Sequence, residues 1–129
     1  MTPEERRAGR KPMILVVDDD ATICELLELH LQAAGYDVIL AADGTDAVML
    51  VREAKPDLAI VDLNMPYLSG DEFVTALRSD EATRDIPVVF LSSSDDLPDH
   101  AKVLGAVAYL PKPVQPDRLL EVVALYVVR

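Results

Sequence analysis

Five short apolar runs set the strongest constraint on what this chain can fold into: MILVV (13–17), YDVIL (36–40), DLAIV (57–61), PVVFL (87–91) and AVAYL (106–110). They are rich in Val, Ile and Leu and mostly lack the polar–apolar alternation of a half-exposed strand, so they read as strands buried on both faces. Helix-like segments separate them. TICELLELHLQAAG (22–35) opens with Thr22 and Glu25 at the spacing of a capping box and closes on Gly35. GTDAVMLVREAKP (44–56) carries Ala47, Val48, Val51 and Ala54 at helical spacing and stops at Pro56. GDEFVTALRSDEAT (70–83) puts Phe73, Val74 and Leu77 on one face, DDLPDHAKVLGA (95–106) has an acidic first turn containing Pro98, and QPDRLLEVVALYVVR (115–129) closes the chain. Strands alternating with helices predict an α/β, (βα)5 architecture: a doubly wound five-stranded parallel sheet with right-handed crossovers and helices on both faces.

The domain is expected to run over residues 13–129, preceded by a flexible leader over 1–12 that ends at Pro12. The leader carries four basic and two acidic groups and no apolar core, so it is not a secretory signal. No apolar run approaches the ~20 residues of a membrane helix. The net charge of −11 argues against nucleic acid as a partner, because phosphate binding draws on Lys and Arg. A single cysteine, Cys24, excludes an internal disulfide and fits a reducing, cytoplasmic setting; amid apolar helical residues it reads as a small core side chain.

In open parallel sheets, sites form beyond the carboxyl ends of the strands. After the first run come Asp18, Asp19 and Asp20, after the third Asp62, after the fourth Ser92, Ser93 and Ser94, and after the fifth Lys112, just past Pro111. Adjacent like charges about 4 Å apart repel by roughly 1 kcal/mol in water and roughly 4 kcal/mol near a protein surface. A divalent cation relieves that repulsion. Carboxylates without thiols or a nearby imidazole favour Mg2+, with Mn2+ as an alternative, over Zn2+. A carboxylate can also act as a nucleophile towards phosphorus, with a hydroxyl and an ammonium binding phosphoryl oxygens. The five glycines form no G-x-G pair and no phosphate-cradling loop, so direct nucleotide binding is not expected. His30 and His100 lie mid-helix, away from this edge. Asp20 reads as a helix cap or a solvated group, and Asp95, Asp96 and Asp99 as the charged first turn of a helix.

ILVVDDD, DLAIVDLNMPYLSG (57–70), PVVFLSSS (87–94) and AYLPKP (108–113), in that order at strand ends, resemble the receiver domain of two-component response regulators over essentially all of residues 13–129. The resemblance is to a stand-alone, chemotaxis-regulator-like form. It implies a flavodoxin-like sheet of strand order 2-1-3-4-5 and a phosphoacceptor role. Asp62 would accept the phosphoryl group. Asp19 would bind Mg2+ directly and Asp18 through water, with Asp62 and the carbonyl of Asn64 completing the protein ligands. Ser92 would hydrogen-bond the phosphoryl group, Lys112 would ion-pair with it, and Tyr109 would be the switch aromatic. Met65, Pro66 and Gly70 would shape the loop after Asp62, and Lys112–Pro113 would be a cis peptide. Ser stands at 92 where Thr is commoner, and Asn64 and Ser94 occupy positions that tune dephosphorylation, for an expected lifetime of seconds to minutes.

The implied partners are a sensor histidine kinase or histidine phosphotransfer protein and a downstream protein target. The switching face comprises the fourth and fifth helices and the fifth strand. On the last helix, Leu119, Val122, Val123 and Tyr126 form one stripe, expected to be buried. Leu120, Ala124 and Val127 form a second, read as an outward docking or homodimer surface. Two other readings compete. A degenerate receiver would bind partners without phosphorylation. VVDDDATI also fits the D-x-D-x-T motif of haloacid-dehalogenase-like phosphohydrolases, with Asp18 as nucleophile and Asp20 as acid, although that reading leaves DLNMPYLSG unexplained.

Overall fold

The computed structural model describes residues 11–63, 68–92 and 105–127. Its sheet has five parallel strands: β1 (Met13–Val17), β2 (Asp37–Ala41), β3 (Leu58–Asp62), β4 (Val88–Ser92) and β5 (Ala108–Pro111), in the order β2-β1-β3-β4-β5. Helices α1 (Ala21–Ala33), α2 (Gly44–Ala54) and α3 (Gly70–Arg78) and a last helix, Pro116–Tyr126, cover it. Most of the leader, the loop residues 64–67 and residues 93–104, which include all but the last two residues of the helix predicted over 95–106, lie outside the described residues.

Alternate residues of the central strands feed two cores. One holds Leu15, Val17, Ala59, Val61 and Phe90 against α2 and α3. The other holds Ile14, Val16, Leu58, Ile60, Val89 and Leu91 against α1 and the last helix. The expectation of strands buried on both faces therefore holds for β1, β3 and β4. It fails for β2 and β5, the edge strands, which are covered only in part.

Four strands begin one or two residues later than the apolar runs. The parallel ladder, not hydropathy, decides where a strand stops. Asp62 stands opposite Leu91, and the next amide, Leu63 N–H, still donates to Leu91 O at 2.9 Å. Asp62 and Ser92 thus close their strands rather than follow them. Pro111, which has no reading from sequence, also finds a place. It ends the edge strand β5, where a missing N–H is tolerated, and the next amide, Lys112 N–H, donates to Ser92 O at 2.9 Å.

Helix ends follow local chemistry. The cap of α1 is Asp20 rather than Thr22: its Oδ1 accepts from Thr22 N–H at 2.9 Å and Ile23 N–H at 3.4 Å. Gly35, at φ +97°, supplies the left-handed residue that ends α1, with its N–H donating to Gln32 O and Tyr36 N–H to Leu31 O. The capping box falls at α3, where Ser69 and Glu72 exchange bonds. The predicted third helix also ends early, at Arg78. Beyond it Asp80 turns the chain by accepting Ala82 N–H through its carboxylate and Thr83 and Arg84 N–H through its carbonyl.

The last helix buries Leu119, Val122 and Val123, as its first stripe predicts. The second stripe does not face outward as expected. Val127 is 7 % exposed and Leu120 is partly buried, both against the core under β1 and β5; of the three only Ala124 is exposed. Its outward apolar group is Leu125, 70 % exposed. The reason is that Val127 lies one turn beyond Val123 and so extends the buried stripe.

Gly70 starts α3 against the end of β3. A Cβ there would meet Phe90 Cε1 at 2.9 Å and the Leu63 Cα at 3.1 Å, while the Gly70 N–H donates to Leu63 O at 3.1 Å. Gly70→Ala should therefore overpack this junction and lower stability by roughly 1–3 kcal/mol, read as a lower urea midpoint with an unchanged slope.

Candidate functional site

The carboxyl ends of β1, β3, β4 and β5 meet at one edge, where β1 delivers two carboxylates and each of the others one polar group. Asp18 follows β1 and is 1 % exposed; Asp19 beside it is exposed. Asp62 and Ser92 are buried. One carboxylate oxygen each from Asp18, Asp19 and Asp62 lie within 4.8 Å of one another. The Lys112 ammonium reaches into the group from β5, 3.0 Å from Asp18 Oδ2 and 3.3 Å from Asp62 Oδ2.

The placing of Asp18 is tightly determined. Its N–H donates to Ala41 O at 3.2 Å, which carries the β1–β2 pairing one residue past the strand. Its Oδ1 accepts from Asp20 N–H at 2.9 Å. Its fully buried Oδ2 meets no donor with hydrogen-bond alignment, so the Lys112 contact is an ion pair. Asp20 caps α1 and takes no part in the cluster. Cys24 is buried in the core as expected, and its thiol donates to Asp18 O at 3.2 Å. Burial, with the Asp18 charge adding to it, holds that thiol up at about 11, so it remains S–H at neutral pH.

Lys112 feels opposing influences. Burial lowers its pKa, but contact with Asp18 and the charges of Asp62 and Asp18 outweigh burial and raise it above the ordinary lysine value. Ammonium and carboxylates thus hold one another in place. The three converging carboxylate oxygens and the unaligned buried Oδ2 form a hard, anionic donor set of the kind that takes a divalent cation.

Lys112–Pro113 is cis, as expected, and Tyr109 on the edge strand is 39 % exposed. Asn64, Met65, Pro66 and Ser94 lie outside the described residues. Sequence reasoning missed the roles of the Asp20 amide and the Cys24 thiol in holding Asp18, for which residue type alone gives no signal.

Two hollows flank the cluster. One of about 270 Å³ is bordered by Asp18, Asp19, Cys24, Glu25 and Leu40. The other, about 400 Å³ and apolar, is bordered by Ile23, Leu26, Leu27, Pro113 and Val114, with Lys112 at its rim. Among the described residues, no helix is long and apolar enough to cross a membrane.

Comparison with known proteins gives one consistent result. The profile of the family described as "Response regulator receiver domain" matches residues 14–124. Protein PilG of Pseudomonas aeruginosa is 36 % identical over 126 residues, covering 96 % of this chain and 92 % of PilG. The DNA-binding response regulator MtrA of Mycobacterium tuberculosis is 39 % identical over 109 residues, covering 83 % of this chain but 46 % of MtrA. The chain spans about half the length of MtrA and the similar curated transcriptional regulators it matches. Among solved structures, the chemotaxis response regulator CheY4 of Vibrio cholerae superposes with a TM-score of 0.84 at 34 % identity, covering 91 % of this chain and 99 % of CheY4. A response regulator receiver protein from Pseudomonas putida gives 0.81 at 32 % identity, covering 91 % and 98 %.

The charge cluster generates two expectations. Asp19→Asn removes one repelling charge, so stability in chelator should rise by on the order of 1 kcal/mol while divalent-cation affinity falls at least about tenfold, read by urea denaturation and calorimetric titration. Lys112 has a raised folded-state pKa, so the stability it contributes is complete below the unfolded value of about 10.4 and is lost as pH rises through the folded value. The stability difference between wild type and Lys112→Met should stay level up to about pH 10 and shrink above it, as followed by denaturation across a pH series.

Proposed function

The chain belongs to the response regulator receiver domain family, whose part in signalling is that of a phosphoacceptor, and on that premise we propose that Asp62 is its phosphoacceptor. The observation that carries the proposal is the meeting of Asp18, Asp19, Asp62 and Lys112 at one strand edge. The protein is no turnover enzyme. It promotes only its own phosphorylation and dephosphorylation.

A carboxylate oxygen of Asp62 attacks phosphorus in line with the leaving group. With a phosphohistidine donor the P–N bond breaks, the departing imidazole keeps the bonding electron pair and takes a proton, and an acyl phosphate forms on Asp62. Asp18, Asp19, Asp62 and the carbonyl of Asn64 are the residues that would hold Mg2+. Bound there, the ion offsets the negative charge that gathers on the phosphoryl oxygens. Lys112, now shared between Asp18 and Asp62, turns to a phosphoryl oxygen. Ser92 at the end of β4 donates its hydroxyl to another. Water later cleaves the acyl phosphate at the same residues.

The donor is a histidine kinase or a histidine phosphotransfer protein. The apolar hollow beside Lys112 supports a protein donor, because a small phosphodonor leaves the exposed Leu26 and the half-buried Val114 uncovered. Phosphorylation biases a two-state equilibrium in which the movement of Ser92 draws the exposed Tyr109 inward. The altered surface, carried by β5 and the outer face of the last helix with Ala124 and Leu125, then receives a downstream protein or a second copy.

The phosphohydrolase reading loses support at two residues. Asp18 has one oxygen bound to Asp20 N–H and the other against Lys112, and Asp20 is engaged in capping α1. Incubation with Mg2+ and acetyl phosphate, followed by mapping of the modified residue, should place one phosphoryl group on Asp62, lost in Asp62→Asn. Label on Asp18, or multiple-turnover phosphatase activity that survives Asp62→Asn, would refute the proposal. Absence of any label would favour a module that binds without phosphorylation.

A further inference from the structure

Asp18 is fixed at three points, and one of them is unexpected. Its N–H is held by Ala41 and its Oδ1 by the Asp20 amide, while its carbonyl oxygen accepts the thiol proton of Cys24 at 3.2 Å. That oxygen belongs to the peptide joining Asp18 to Asp19. Because the peptide is planar, holding its oxygen also fixes the nitrogen of Asp19, and so the direction in which the second carboxylate leaves the backbone. Cys24 and both aspartates border the same hollow of about 270 Å³, and the buried Asp18 Oδ2 has no aligned hydrogen-bond donor.

We propose that Cys24 is a positioning residue for the cation site, its S–H···O bond setting the Asp18–Asp19 peptide so that the two carboxylates converge. This rests on the reading of those carboxylates as Mg2+ ligands. The thiol suits a place where the side chain must both pack and donate. Cys24 shares the core with Ile14, Val16, Leu27 and Leu31, where a larger polar group would not fit, yet it keeps one weak donor for an oxygen at the core's rim. It never touches the ion or the phosphoryl group; it acts through Asp18.

The test separates donation from packing. Cys24→Ser keeps a donor of similar size, and Cys24→Val keeps an apolar filler without one. Mg2+ affinity by calorimetric titration should fall roughly five-fold in Cys24→Val and stay near wild type in Cys24→Ser. In chelator, amide exchange at Asp19 and Asp20 should be faster in the Val variant alone. Thermal unfolding, recorded alongside, reports packing and is expected to shift in both. Equal Mg2+ affinity in wild type and Cys24→Val would overturn the proposal, as would equal weakening in both variants. Failure of the wild type itself to bind Mg2+ would overturn the metal reading of Asp18 and Asp19, and this inference with it.

Discussion

Three carboxylates held against their mutual repulsion are the constraint around which the rest of this structure is arranged. Asp62 lies far along the sequence from the adjacent Asp18 and Asp19, and the three converge only because β1 and β3 are paired in register at the centre of the sheet. Left alone, the cluster would favour splayed strand ends. Lys112 opposes that from the sheet's edge with one ammonium shared by two of the carboxylates. The raised Lys112 pKa is the same attraction seen from the other partner. A cation and a phosphoryl group can rearrange this balance without moving the sheet, because the compensating charge sits on a flexible four-carbon stem.

The backbone around the cluster is bonded in ways that keep the repulsion local. Asp20 does two jobs with different atoms. Its amide steadies Asp18, and its carboxylate caps α1. The start of the helix and the Asp18 carboxylate are therefore steadied by one residue. Gly70 works similarly on the other side, letting α3 start in close contact with Leu63 and Phe90.

Much of this was legible in the sequence, and the exceptions have physical reasons. The strands were visible because three of them are buried on both faces. Their ends were less so, since the ladder bonds that carry β3 through Asp62 and β4 through Ser92 are indifferent to side-chain polarity. The capping box expected at Thr22 and Glu25 does not form, because Asp20, which also reads as a cap, takes that place with its carboxylate on the Thr22 and Ile23 amides. Val127 read as outward because the stripe was counted from Leu120, whereas the helix buries the row that runs through Val123. Asp18, Asp19, Asp62 and Lys112 could be listed from their positions after apolar runs, because a parallel sheet gathers the carboxyl ends of its strands. Their mutual distances could not, since these depend on strand twist and on the bonds to Ala41, Asp20 and Cys24.

Pro111 has a wider consequence. β5 is a four-residue strand at the open side of the sheet, and its last position offers no amide to a passing chain. An incoming strand would find few main-chain groups to zip onto. The rim nearest the reactive centre is thus closed to extension by backbone pairing, whether by a fibril-forming neighbour or by an extended peptide. Anything that docks on this rim must do so through the shape of its side chains, of which the half-exposed Tyr109 is the largest.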